Sequence, residues 1–156
     1  MILTGKQCEQ YLTTNGTGKP AQVGYDLTLK SVKKINGGLI AADHTTVCTY
    51  GVVEPQKNSY FLTPGIYSLT FHQGCKLPAT IKASIVHRSS VLRCGGVIIS
   101  GVYDPGFEVD EMGAVLVTYE DLTIEIGARV AQIVMEECYS VDELYNGQWQ
   151  KEKDFK

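Results

Sequence analysis

HRSSVLRCGGVIISGVYDPGFEVDEMG, residues 87–113, decides how this chain is read, because it threads phosphate-binding and water-activating groups between short β-like runs. Arg88 offers a planar fork of donors to phosphoryl oxygens. Ser89 and Ser90 add hydroxyl donors, and Asp104 can orient a water or reach a hard cation through one. Together these groups suggest a nucleotide phosphate site. From the residues alone a second reading stays open, since an arginine beside serines also makes an ordinary solvated turn.

Strand signals continue outward in both directions. Short runs at 24–32, 39–41, 47–53, 60–62, 65–71, 80–86, 96–100, 114–118, 122–126 and 129–135 have strand character. The separators NGG at 36–38, TPG at 63–65, LPA at 77–79, DPG at 104–106 and IG at 126–127 carry the glycines and prolines of turns. Many short strands at this spacing predict an all-β sandwich, jelly roll or barrel rather than alternating strands and helices. Residues 4–12 predict a short N-terminal helix capped by Thr4, with Leu3, Cys8 and Leu12 facing inward.

At 156 residues and 44% apolar content the chain has material for one core, so one domain is expected over 1–144. Residues 145–156 form a polar tail with Tyr145 and Trp149 as aromatic anchors; it reads either as a lid over a ligand or as a frayed end. A formal net charge of −3 and the absence of any Lys/Arg run give no general affinity for nucleic acid. Neither a secretion signal nor an apolar membrane span is evident, and a cytoplasmic or otherwise intracellular protein is expected. The five cysteines are odd in number and lack a CxxC pair, which favours buried thiols over a disulfide framework or zinc knuckle.

AQVGYDLTL at 21–29, HRSSVLRCG at 87–95, SGVYDPGF at 100–107 and GARVAQIV at 127–134 resemble, in that order, the first four motifs of the superfamily of dUTP diphosphatases and dCTP deaminases. The beginning MILTGKQ, the run FLTPGIYSLTFHQGCKLPATIKASI at 61–85 and DPGF are closer to the deaminase branch. The resemblance implies a distorted jelly-roll β-barrel assembled as a homotrimer, with active sites between subunits.

It also implies roles for individual residues. Asp104 matches the aspartate that orients the attacking water, Gly101 belongs to the turn whose backbone reads uracil, and Phe107 packs on deoxyribose. Arg88, Ser89, Ser90 and Gln132 match phosphate contacts, and Asp26 supports the phosphate and magnesium region. Mg²⁺ is the implied cofactor, held mostly by phosphates and water with no direct protein ligand. Arg129 is expected in a structural or subunit-contact role. Read bare, Phe107 also suits the core, and Gln132 also suits a solvent-facing strand position.

The branches separate on a glutamate that handles protons in the deaminases. Ser89 and Arg93 match their neighbours of that residue, but aligning Gly113 with the family glycine puts Thr118 at its position. Threonine cannot shuttle a proton near neutrality as a carboxylate can. Glu108, Glu111 and Glu120 are the candidates to replace it. The expected activity is therefore hydrolysis of dUTP to dUMP and pyrophosphate. The alternatives are a dCTP deaminase, including a bifunctional one, or a noncatalytic regulatory member. The tail lacks the diphosphatase fifth motif, and YNGQW at 145–149 is similar to the deaminase tail, with Gly147 and Trp149 as a reduced lid. His87 stands where the family usually has glycine. It could alter the turn, reach an adjacent site, or simply be a partly exposed histidine; His44 and His72 have no metal-ligand spacing.

Overall fold

A chain that alternates apolar and polar residues at period two buries every second side chain when it forms a sheet. The strand at Ile81–His87 does this, burying Ile81, Ala83 and Ile85 and leaving Lys82 and Ser84 half-covered. The computed structural model describes residues 1–150; residues 151–156, the end of the tail, lie outside the described residues. Two short helices, α1 (Gly5–Glu9) and α2 (Ser89–Arg93), accompany the strands. The strands are β1 (Leu12–Thr13), β2 (Lys19–Pro20), β3 (Tyr25–Ile40), β4 (Thr46–Val52), β5 (Ser59–Leu62), β6 (Gly65–Phe71) and β7 (Gly74–Lys76). They continue with β8 (Ile81–His87), β9 (Gly96–Ile99), β10 (Glu108–Val109), β11 (Gly113–Thr118), β12 (Leu122–Glu125) and β13 (Arg129–Glu137).

The mostly β expectation with a short N-terminal helix holds. Among the described residues, β13, β8, β9, β11, β6 and β3 run in that order, and β3 pairs back onto β13, which gives a six-strand hydrogen-bonded ring. The β8 to β9 seam is narrow, resting on the Val86–Ile99 pair. Leu27, Leu29, Leu69, Phe71, Leu116 and Ile133 fill the interior with no exposure. Burial of such side chains is the main stabilising term, about 1.5–3 kcal/mol each.

Two elements differ from the sequence reading. Asn36, Gly37 and Gly38 do not end a strand: β3 runs through them with a register shift against β4, and Gly37 takes φ +82. Glycine accommodates a bulge as readily as a turn. The hairpin closes instead at 41–45, where Ala41 N–H donates to Thr45 O and His44 adopts φ +71. The second difference is α2, where a single helical turn occupies the serines that follow Arg88. The cysteines are only partly as expected. All five are free, but only Cys8 and Cys75 are buried, while Cys94 is exposed. No helix among the described residues is long and apolar enough to cross a membrane.

Candidate functional site

The first five residues of β3 are all buried, so both faces of the strand are covered there. Leu27 and Leu29 enter the core, which sends Asp26 and Thr28 to the other face. A buried carboxylate needs partners. Asp26 Oδ2 receives Arg88 Nε and Arg129 Nη1, each at 3.2 Å. Arg88 Nη1 also donates to Arg129 O at 3.3 Å, which ties the residue before α2 to the start of β13.

Gln132 lies opposite Asp26 in the β3–β13 register, and its amide donates to Val23 O. Neither the open strand face nor a purely solvated side chain describes it. Lys19, Asp26, Arg88, Ser89, Arg129 and Gln132 surround a cavity of about 560 Å³. The structure thus brings together Asp26, Arg88, Ser89 and Gln132, and adds Arg129 to them. Ser90 is exposed and does not line this cavity.

A second cavity, of about 320 Å³, lies around the third motif and is lined by Gly101, Tyr103, Asp104, Phe107, Tyr145 and Trp149, with Cys48 and Tyr50 from β4. Asp104, Pro105, Gly106 and Phe107 form its turn. Phe107 N–H donates to Asp104 O at 3.0 Å, and Gly106 has φ +91, the combination of Pro and left-handed Gly that a type II turn requires. A side chain at Gly106 would meet Leu144 Cβ at 2.6 Å, so the tail packs where glycine leaves room. Phe107 stacks between Tyr103 at 4.8 Å and Tyr145 at 5.4 Å between ring centroids. It is both a core residue and a cavity wall.

The Tyr103 hydroxyl donates to Gly113 O at 2.6 Å and accepts from Gly113 N–H at 3.1 Å. Desolvation pushes this phenol above its ordinary range, and the bond to Gly113 only partly offsets that. The group stays neutral and acts as a pin between the third motif and β11. Trp149 reaches the cavity, and Gly147 sits against the Tyr145 ring, so the described tail lies over the third motif of its own chain.

The three glutamates considered as proton carriers line neither cavity. Glu111 pairs with Lys30, Glu108 lies 3.9 Å from Lys76, and Glu120 offers its carbonyl to Thr118. Thr118 itself is buried at the far end of β11, its hydroxyl 2.8 Å from Glu120 O. Arg93 closes α2 outside both cavities. His87 is half-buried beside Arg88, with Nδ1 unpartnered among the described residues. Among the described residues no three His, Cys, Asp or Glu side chains gather as a metal cluster. Sequence reading missed Lys19, Cys48 and Tyr50 as cavity residues, because only the strand register brings them to these walls, and it missed Tyr103 although that residue adjoins Asp104 in the third motif.

The ring of strands carries a cationic cavity and an apolar one. The chain belongs to the dCTP deaminase-like family, whose model matches residues 2–138. It is 31% identical over 131 residues to the deoxyuridine 5'-triphosphate nucleotidohydrolase of Methanocaldococcus jannaschii, covering 81% of this chain and 83% of the relative. A probable deoxyuridine 5'-triphosphate nucleotidohydrolase of Aeropyrum pernix is 30% identical over 149 residues, covering 89% and 88%. In fold the chain is similar to the 2'-deoxycytidine 5'-triphosphate deaminase of Agrobacterium tumefaciens, with a TM-score of 0.63 at 16% identity. That match covers 86% of this chain but only 47% of the deaminase, so the chain spans about half of its length.

Proposed function

We propose that this protein is a dUTP diphosphatase of distorted jelly-roll barrel architecture, hydrolysing dUTP to dUMP and pyrophosphate. The observation that carries the reading is the setting of Asp104, an acidic side chain with no ion pair among the described residues, on a rigid turn at an apolar cavity. Its carboxylate orients and partly deprotonates a water, whose oxygen bonds to phosphorus as the bridge between the α- and β-phosphates breaks. The proton passes to Asp104, and the electron pair of the broken bond leaves with pyrophosphate.

Gly101 presents backbone groups to the uracil edge, where donor and acceptor positions distinguish a carbonyl from an amino group. Phe107, held by Tyr103 and Tyr145, packs on the deoxyribose. Arg88, Ser89 and Gln132 hold phosphoryl oxygens, Arg88 through charge and the neutral groups through direction. Asp26 fixes the Arg88 guanidinium.

The donor set suits a magnesium ion carried by the substrate. Asp26 Oδ2 is already shared by two guanidiniums, which leaves phosphates and water as the main ligands, with Asp26 beside them. When bound, the ion polarises the phosphoryl group and offsets its charge.

The cavity of Arg88 and the cavity of Asp104 are separate within one chain. This supports a homotrimer in which Arg88 and Ser89 of one copy complete the Asp104 pocket of another, with Trp149 and Gly147 forming the lid. Light scattering tests the stoichiometry, and a monomer with full turnover overturns the shared site.

Deamination of dCTP is the second reading, favoured by the family description and the similar deaminase fold. Burial of Thr118 against Glu120 O weighs against it, because no carboxylate occupies that position. Incubating the protein with Mg²⁺ and either nucleotide, then separating products by chromatography, discriminates the two. dUMP and pyrophosphate from dUTP, with dCTP left intact, are expected. Rapid loss of ammonia from dCTP with dUTP intact reverses the branch assignment.

A further inference from the structure

Lys19 belongs to none of the sequence motifs, yet the sheet places it in the cationic cavity. β2 pairs antiparallel with β3 so that Lys19 lies opposite Asp26, and β13 pairs on the other side so that Gln132 lies opposite the same residue. Directly opposed residues on neighbouring strands project to one face. Lys19, Asp26 and Gln132 therefore form a single cross-strand row along the wall of the 560 Å³ cavity.

Charge in this cavity is unbalanced. Lys19, Arg88 and Arg129 face one carboxylate, Asp26, and both guanidiniums already bind it. Lys19 has no ion pair among the described residues. Holding three cations around one buried carboxylate costs electrostatic repulsion that a bound anion relieves. One arginine fork satisfies a single phosphate, so the additional cation and the volume suit a longer phosphate chain.

The backbone under Lys19 is fixed rather than loose. Gly18 has φ +77, and a side chain there would lie 2.5 Å from Asp26 O, so only glycine lets β2 approach β3 this closely. Pro20 fixes its own φ and restricts the residue before it, Lys19, while Ala21 is held by bonds to Gly24 O at 3.0 Å and from Gly5 N–H at 3.2 Å. The lysine is thus presented on a preorganised edge. The described tail, by contrast, carries no Lys or Arg over residues 139–150 and packs against the other cavity.

We propose that Lys19 is a third polyphosphate-binding cation, which makes the site favour nucleoside triphosphates over monophosphates. The inference rests on the reading of this cavity as the phosphate half of the active site. It is tested by calorimetric binding, in Mg²⁺, of nonhydrolysable imido analogues of dUTP and dCTP alongside dUMP and dCMP. Wild type is compared with Lys19→Met, Lys19→Gln and Lys19→Arg, with thermal unfolding recorded for each. Both neutral variants are expected to keep the wild-type unfolding temperature and to bind the triphosphate analogue about tenfold or more weakly, as for one charge-assisted hydrogen bond. Monophosphate affinity should stay unchanged, and Lys19→Arg should restore most of the loss.

An unchanged ratio of triphosphate to monophosphate affinity in the folded neutral variants overturns the assignment, as does a parallel loss of both. So does a wild type that binds neither triphosphate more tightly than its monophosphate. Binding of the cytidine analogue alone would instead refute the uracil reading, while the Lys19 ratio is still measured on the cytidine pair.

Discussion

Asp26 and Arg88 stand 62 positions apart in the chain and meet at 3.2 Å, the Arg88 Nε donating to a carboxylate that is 8% exposed. Arg129 reaches the same oxygen, so one buried acid fixes two guanidiniums. Asp26→Asn should lower stability by about 1–3 kcal/mol, less than for a fully buried pair because both arginines keep contact with water. It should also release Arg88 from its fixed direction and weaken triphosphate binding. Chemical denaturation and calorimetry on the same sample check the two effects; stability and affinity both at wild-type levels would remove Asp26 from the positioning role.

Asp104 should behave differently. Its turn is held by backbone, through Phe107 N–H to Asp104 O at 3.0 Å and Gly106 N–H to Leu77 O at 3.1 Å. Asp104→Asn keeps those bonds and the side-chain shape but loses the charge and basicity. Single-turnover hydrolysis of dUTP should fall by about a hundred- to ten-thousand-fold with little change in unfolding temperature or nucleotide binding. Near-wild-type hydrolysis in a folded protein would exclude Asp104 as the group that activates water. A loss of stability equal to the loss of activity would make it a turn cap instead.

Period-two burial in β8 and the DPG turn were legible because local chemistry decides them: every second residue of IKASI is buried, and Pro105–Gly106 fits one turn type. NGG at 36–38 was not, since glycine serves a bulge and a turn equally well, and only pairing with β4 selects the bulge. Arg88, Ser89, Gln132 and Asp26 were legible as a group and do surround one cavity. Lys19 was hidden because its place depends on a two-residue strand whose register is set by Gly18 and β3. The tail's contact with Gly106 was equally unreadable, as it depends on space left by an absent side chain.

On the proposed diphosphatase reading, Thr118 is a structural residue. Its hydroxyl donates to Glu120 O at 2.8 Å and the residue is 2% exposed, so it supports the end of β11. Thr118→Val should cost about 1–2 kcal/mol by leaving that carbonyl without its partner, while the rate of dUTP hydrolysis stays unchanged. Denaturation and steady-state kinetics measure both. A selective loss of turnover at unchanged stability would bring Thr118 into the chemistry.

Gln150 latches the tail. Its side-chain oxygen accepts from Glu108 N–H at 2.8 Å, and its amide donates to Gly106 O at 2.9 Å, bridging the third-motif turn to β10. Gln150→Ala should free the segment that carries Tyr145 and Trp149, raising KM for dUTP several-fold and exposing the tail to limited proteolysis. Unaltered KM and cleavage rate would leave the tail as a packed end with no part in closure.

The two buried thiols make an alkaline signature. Burial pushes Cys8 up to about 11, opposed by backbone bonds from Gly24 and Met135. Burial, with a smaller contribution from the Glu108 charge, pushes Cys75 up to about 12. In the unfolded chain both titrate near 9.0, so above that pH the unfolded state gives up protons that the folded state retains. Their contribution to stability is complete below pH 9 and is lost as pH rises through 11 and 12. A Cys8→Ala/Cys75→Ala variant should start less stable, because the core loses volume, yet fall less steeply with pH than wild type. Equal slopes in denaturation series from pH 8 upward would show that the thiols are not the titrating groups. Iodoacetamide provides an independent check: exposed Cys94 should be modified first, and Cys8 and Cys75 only on unfolding.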